Sequence, residues 1–175
     1  MKNTAINTLG YTGTVTLSRY IGSKKIKIAQ VHNTGGSPLF DFFSECLLGN
    51  FDVAKIIRPN KIMFLKYEDI VDEATNTEAR VYSRVSGIVS ALTAPEKVYS
   101  LDNNKSTVRY SFMVSRDMLE SLSDFNSIGL YTNNSTEDDY ANFAAFCPVN
   151  ITKNDISSSS VLVIDWELSI SNKNS

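Results

Sequence analysis

Val161-Leu-Val-Ile-Asp-Trp-Glu-Leu-Ser-Ile170 is the stretch that decides the fold class of this chain. Leu162, Ile164, Trp166, Leu168 and Ile170 fall on one side of its alternation, and Val161, Val163, Asp165, Glu167 and Ser169 on the other. A period of two with one wholly apolar side marks a strand that covers a core with one face and leaves the other to solvent or a neighbour. The same period recurs upstream. Between Ser106 and Ser115, Val108, Tyr110, Phe112 and Val114 alternate with Thr107, Arg109, Ser111 and Met113. Gly13 to Ser18 places Val15 and Leu17 on one side, and a turn at Gly22-Ser23 leads into Lys24 to Val31 as the second arm of a hairpin. Lys61-Ile-Met-Phe-Leu-Lys-Tyr67 is apolar on both sides, as befits a central strand covered on both faces. Further strands are expected over Val81 to Leu92 with a bend at Gly87, around Ile128-Gly-Leu-Tyr131, and over Tyr140 to Val149.

One helix interrupts the strands. Ser37 is placed to cap free amides, and Pro38 suits the first helical position, where its missing N–H does no harm. Leu39, Phe42, Phe43, Cys46 and Leu47 recur at helical spacing, which assigns them to a core-facing stripe, and Gly49 is a natural stop. Phe51 to Ile57 fits either a helix or a strand, and Asp117 to Phe125 fits one or two helical turns. Arg58-Pro59-Asn60, Ala94-Pro95-Glu96 and residues 101–105 read as turns, and Ile151 to Ser160 as a serine-rich turn. Glu68 to Arg80 reads as an acidic surface loop, Asn133 to Asp139 as a mobile polar tip, and residues 1–10 as a loose arm. The sum is about eight strands in one domain over residues 1–175. The expected fold is mainly β: an antiparallel β-sandwich or jelly-roll-like barrel with one embedded α-helix.

At 175 residues the chain buries roughly 70% of its unfolded surface, so its core requires neither disulfides nor metal. Seventeen basic and nineteen acidic residues leave a formal charge of −2, and the densest basic run, Lys24-Lys25-Ile26-Lys27, reads as a solvated strand face rather than a phosphate track. Nucleic-acid binding through a broad positive surface is disfavoured accordingly. Cys46 and Cys147 sit in no CxxC pair and read as buried free thiols, without a metal site. The amino terminus has no apolar run, and no stretch approaches the roughly 20 apolar residues of a membrane span. The expectation is a soluble protein made in a cytosol, with no membrane contact.

No catalytic, cofactor-binding or metal-binding residue is assigned. His32 is the lone histidine, and no GxSxG elbow supplies a serine partner, so it reads as a turn or structural residue. Gly35-Gly36 precedes a helix without GxxxxGK[ST] or GxGxxG and reads as a hinge rather than a phosphate cradle. Asp165 and Glu167 share one strand face about 7 Å apart, a spacing common on solvated strands as well as in glycosidases. Glu137-Asp138-Asp139 lacks the glycine and closing glutamate of an EF-hand loop. Tyr11, Tyr20, Tyr67, Tyr82, Tyr99, Tyr131 and Tyr140, near strand ends or loops, suit an interface or a core edge equally.

The order of these signals carries a resemblance. A Gly-x-Val-x-Leu strand leads to His32-Asn33-Thr34-Gly35, then to Pro38-Leu39-Phe40 in a helix ending Leu47-Leu48-Gly49. Arg58-Pro59 precedes an apolar strand, and Gly129-Leu130-Tyr131 and Ile151-Thr152-Lys153 precede Val163-Ile164-Asp165-Trp166-Glu167-Leu168. This layout resembles small virion structural proteins of tailed bacteriophages, of the head–tail connector, tail and fibre-associated kind, with crAss-like phages as one source. The resemblance implies a homo-oligomer, a ring or other symmetric assembly, in contact with other virion proteins. It implies assembly in the host bacterial cytoplasm into the virion, and no catalysis or cofactor. Residues 1–10 and the loops at 68–80 and 133–139 are then expected to touch other chains. The alternative is a carbohydrate- or receptor-binding β-sandwich of a fibre or head decoration, with a groove lined by tyrosines or Trp166. Trp166 lies on the apolar side of its strand, which predicts that it is buried.

Overall fold

Among the described residues the chain forms β1 (Thr8–Ile21), β2 (Lys24–Gly35), α1 (Ser37–Leu48), α2 (Phe51–Ile56), β3 (Pro59–Asp72), β4 (Thr77–Arg84), β5 (Val89–Ser90), β6 (Glu96–Val98), β7 (Lys105–Ser115), α3 (Arg116–Ser121), β8 (Ser127–Thr132), β9 (Ala145–Pro148), α4 (Lys153–Ile156) and β10 (Val161–Lys173). The structure, a computed structural model, describes residues 8–72, 77–98, 105–149, 151, 153–156 and 161–173. Every ladder is antiparallel, and the strands join in one sheet of order β4-β3-β8-β9-β2-β1-β10-β7-β6, with β5 beside β3. The fold is mainly β and sandwich-like, as the alternations predict.

β10 lies in mid-sheet. It runs against β1 from Thr8↔Lys173 to Arg19↔Leu162, and against β7 from Val161↔Ser115 to Ser171↔Lys105. With both registers fixed, the period of two sends Val15, Leu17, Tyr110, Phe112, Val114, Leu162, Ile164, Trp166 and Leu168 to one buried face. Ile62 and Phe64 of β3, Ile128 and Leu130 of β8, and Ala145 and Cys147 of β9 complete the same core. The sheet therefore folds back over itself. At one corner Thr34 and Gly35 of β2 pair with Phe146 and Ala145 of β9. On the other side β5 pairs with β3, and the next residue, Ala91, bridges Phe112 of β7.

β3 explains its doubly apolar sequence. Ile62 and Phe64 enter the main core, while Met63 and Leu65 join Tyr131 and Phe146 in a second cluster on the other face. Helix α1 has the expected span, and Gly49 closes it in the left-handed conformation at φ 78°. The cap differs from expectation: Gly36 is the N-cap, no side chain caps the helix, and Ser37 is already helical. Gly36 donates its N–H to the Ala144 carbonyl at 2.8 Å, and a Cβ there would stand 2.3 Å from the Phe143 carbonyl oxygen. The hinge reading of Gly35-Gly36 has this close approach as its physical basis.

Several expected boundaries are corrected. Residues 68–72 and 77–80 are strand rather than loop, with β3 and β4 paired from Leu65↔Arg84 to Asp72↔Thr77; residues 73–76 lie outside the described residues. The expected arm of residues 1–10 loses its last three, since β1 begins at Thr8; residues 1–7 lie outside the described residues, as do most of the turn at 101–105 and the end of the serine-rich turn. His32 to Gly35 continue β2 instead of breaking it, and Pro59 opens β3 instead of turning. Val81 to Leu92 divides into β4 and β5 at Ser86-Gly87, and only Ala145–Pro148 of the expected strand at 140–149 is extended. The tip at 133–139 is built: Thr136 and Asp139 form a capping box, and Asn133 donates its N–H to the Arg58 carbonyl at 2.9 Å.

Candidate interaction surface

Four of the carboxylates that sequence reading weighs for chemistry, Glu137, Asp139, Asp165 and Glu167, are paired within the fold. Glu167 accepts from Nε and Nη2 of Arg109 at 2.9 and 2.7 Å, which raises the guanidinium's pKa. Asp165 accepts from Lys25 Nζ at 2.9 Å and from Ser111 Oγ at 2.7 Å. The two carboxylates are thus each committed to a cation on the outer face of the sheet, a charge-paired lattice rather than an acid–base couple. Asp139 accepts from the backbone N–H and hydroxyl of Thr136, which holds its carboxyl below the usual range, and Glu137 pairs with Arg84. His32 is exposed on β2. Cys147 is buried and Cys46 half-buried, and both thiols are free.

The helical hairpin α1–α2 is unusual in what it exposes. Leu39 is buried and Phe42, Phe43 and Cys46 are half-buried, so the predicted inner stripe exists. Leu47, expected on that stripe, is 83% exposed, and Phe40 is 51% exposed. These two lie seven residues apart, on one line along the helix. Leu48 and Phe51 follow around the turn at Gly49, 71% and 64% exposed. Val53 and Ile56 of α2 are exposed as well, and Ala54 is the buried residue of that helix. At roughly 150–250 Å² for a whole phenylalanine and somewhat less for an aliphatic side chain, these six residues expose on the order of 600 Å² of apolar surface. A summed exposure of that size on one short helical hairpin is at the top of what monomers usually show. The six-residue Phe-Asp-Val-Ala-Lys-Ile of α2 held the signal: it has more apolar side chains than one buried stripe can use.

A second surface lies across the β3–β4 hairpin. Tyr67, Tyr82, Phe143 and Phe146 pack edge-on or tilted at centroid separations of 5.2 to 6.5 Å. Phe146 is buried, whereas Tyr67, Tyr82 and Phe143 keep part of their rings in solvent. The Arg80 guanidinium stands 4.5 Å above the Tyr67 ring and donates from Nε to Asp69 at 2.6 Å. Beyond this platform Ile70 and Val71, on opposite faces of the ribbon, are both exposed. The hairpin therefore projects past its core with neither face covered. Trp166, by contrast, is fully buried, as predicted.

No protein-family model, no curated protein and no solved structure matches this chain.

Proposed function

We propose that this chain is a bacteriophage virion structural protein that works through oligomeric contact. In this reading it is built into a neck, tail or connector ring or a related particle component. It assembles in the host cytoplasm, contacts other virion proteins, and carries no catalytic, nucleic-acid-binding or membrane role. The exposed apolar face of α1–α2 carries the proposal. Roughly 600 Å² per copy, fully covered, sets an upper bound of about 1,200 Å² for two copies meeting here, the low end of stable interfaces. The projecting β3–β4 ribbon adds support, since a two-stranded ribbon with both faces wet is marginal until something covers it. Light scattering tests it. The purified chain should exceed its 19.4 kDa monomer mass, and Leu48→Glu with Phe51→Glu should return it to monomer with its fold unchanged. A wild-type chain that stays monomeric at every concentration sinks the reading.

The Tyr67–Tyr82–Phe143 platform favours a second reading, a carbohydrate- or receptor-binding module, because part-exposed rings beside a cation and a carboxylate suit sugar stacking. Glycan-array binding that disappears in Tyr82→Ala would support it. Retained binding in that variant would remove the platform from consideration.

A further inference from the structure

A cleft of about 320 Å³ lies between α1 and the β6–β7–β10 end of the sheet. Its walls are apolar: Phe42 and Phe43 from the helix, Val108 and Tyr110 from β7, Leu168 and Ile170 from β10. Two cations, Arg58 and Lys97, also line it, and among the described residues no carboxylate does. Among the described residues neither takes part in an ion pair. Arg58 Nε is moreover buried without a hydrogen-bond partner. A buried donor left unpaired is costly. Burial pushes the Tyr110 phenol up to about 12, against the opposing effect of the Arg58 charge. The cleft thus combines apolar walls with two cations, in a volume in the lower range of ligand sites.

We propose that this cleft binds an unbranched acyl chain ending in one carboxylate. The tail lies against Phe42, Phe43, Leu168 and Ile170, and the carboxylate is held by the Arg58 guanidinium, whose planar fork matches it. A tail of medium length, as in decanoate, suits a cleft at the lower end of ligand-site volumes. A neutral tail of the same size would leave the Arg58 charge in the cleft without a counter-ion, which is the source of selectivity. This site lies on the inner side of α1 and is independent of the assembly surface on its outer side.

Isothermal titration of the full chain with decanoate and with decanol tests the proposal. Decanoate should bind one-to-one and saturably, with decanol about tenfold weaker or worse. Arg58→Gln should weaken decanoate about tenfold and leave decanol unchanged, while Val108→Trp, which fills the cleft, should abolish both. Equal affinities for decanoate and decanol on the wild-type chain would overturn it, as would no saturable heat with decanoate up to ~1 mM. The wild-type comparison decides the matter even if a variant fails to fold.

Discussion

At Gly36 a single hydrogen separates a tight corner from a collision. Gly36→Ala would set a methyl group 2.3 Å from the Phe143 carbonyl oxygen, a backbone atom that cannot swing aside as a side chain would. The expected loss is about 1–3 kcal/mol, the range of overpacking, seen as a lower urea midpoint at unchanged slope. Gly49 makes the contrast: its φ is 78° and open space surrounds it, so Gly49→Ala should cost only the left-handed backbone term, about 1–2 kcal/mol. Titrating residues make a second expectation. Burial pushes the Cys147 thiol from 9.0 up to about 12, and the phenols of Tyr110 and Tyr11 from 10.0 up to about 12. In each case the native state keeps its proton longer than the unfolded chain does. The unfolded state therefore binds fewer protons between pH 9 and 12, and stability must fall as pH rises through that window and be unaffected by these groups below it. Cys147→Ala should flatten the earliest part of the decline in a urea series taken across alkaline pH. A profile identical to that of the wild type would mean that this thiol is not desolvated.

Helix α1 has two faces with different expected consequences. Leu39→Ala removes a fully buried side chain and should cost about 2–5 kcal/mol, whereas Leu47→Ala should change monomer stability by less than about 0.5 kcal/mol and register instead in molar mass. Thermal melts and light scattering on the same two variants separate these effects. The helix itself was legible, because proline, glycine and the 3.6-residue period all agree on its ends. Its exposure was not. Periodicity says which residues share a face, but only the tertiary arrangement says how far along that face the sheet reaches, and it stops short of Leu47. The β3–β4 ribbon was illegible for another reason. From Glu68 to Arg80 it is held by backbone pairing, Asp69↔Arg80 and Ile70↔Ala79 among the pairs, with no buried face to impose a period of two. The aromatic platform was illegible because Tyr67 and Tyr82 pair only once the β3–β4 ribbon forms, and Phe143 and Phe146 join them from the distant β9 region. The ribbon's local stability should reflect its bare faces. Amides from Asp69 to Val71 and from Glu78 to Arg80 should exchange with solvent far faster than those of Ile62 to Leu65, whose side chains are all fully buried. Equal protection along β3 would show that something covers the ribbon, and loss of that difference only at high protein concentration would identify the cover as another copy.

Across the whole molecule, the first and last strands are neighbours, and β10 joins β1 to β7. Pairings so distant in sequence require a long loop to close before any contact repays it, so folding should fall in the millisecond-to-second range typical of such sheets. The consequence for truncation is asymmetric. Leu162, Ile164, Trp166 and Leu168 enter the core from β10 at 4% exposure or less. At about 1.5–3 kcal/mol for each fully buried side chain, they contribute about 6–12 kcal/mol, comparable with the whole stability of an ordinary domain. A chain ended after residue 160 should therefore be unfolded, with a far-ultraviolet spectrum lacking strand signal and amides exchanging freely. Removal of residues 1–7 leaves every pair between β1 and β10 in place, from Thr8↔Lys173 onward, and should leave the melt unchanged. The same cut is the sharper probe of assembly. A cut at residue 10 would also break the pairs at Thr8, Leu9 and Gly10 and would confound lost contact with lost sheet. If the chain lacking residues 1–7 melts as the parent does but no longer forms the same oligomer, the amino-terminal segment belongs to the interface. If its molar mass is also unchanged, assembly rests on the helical hairpin and the ribbon without it.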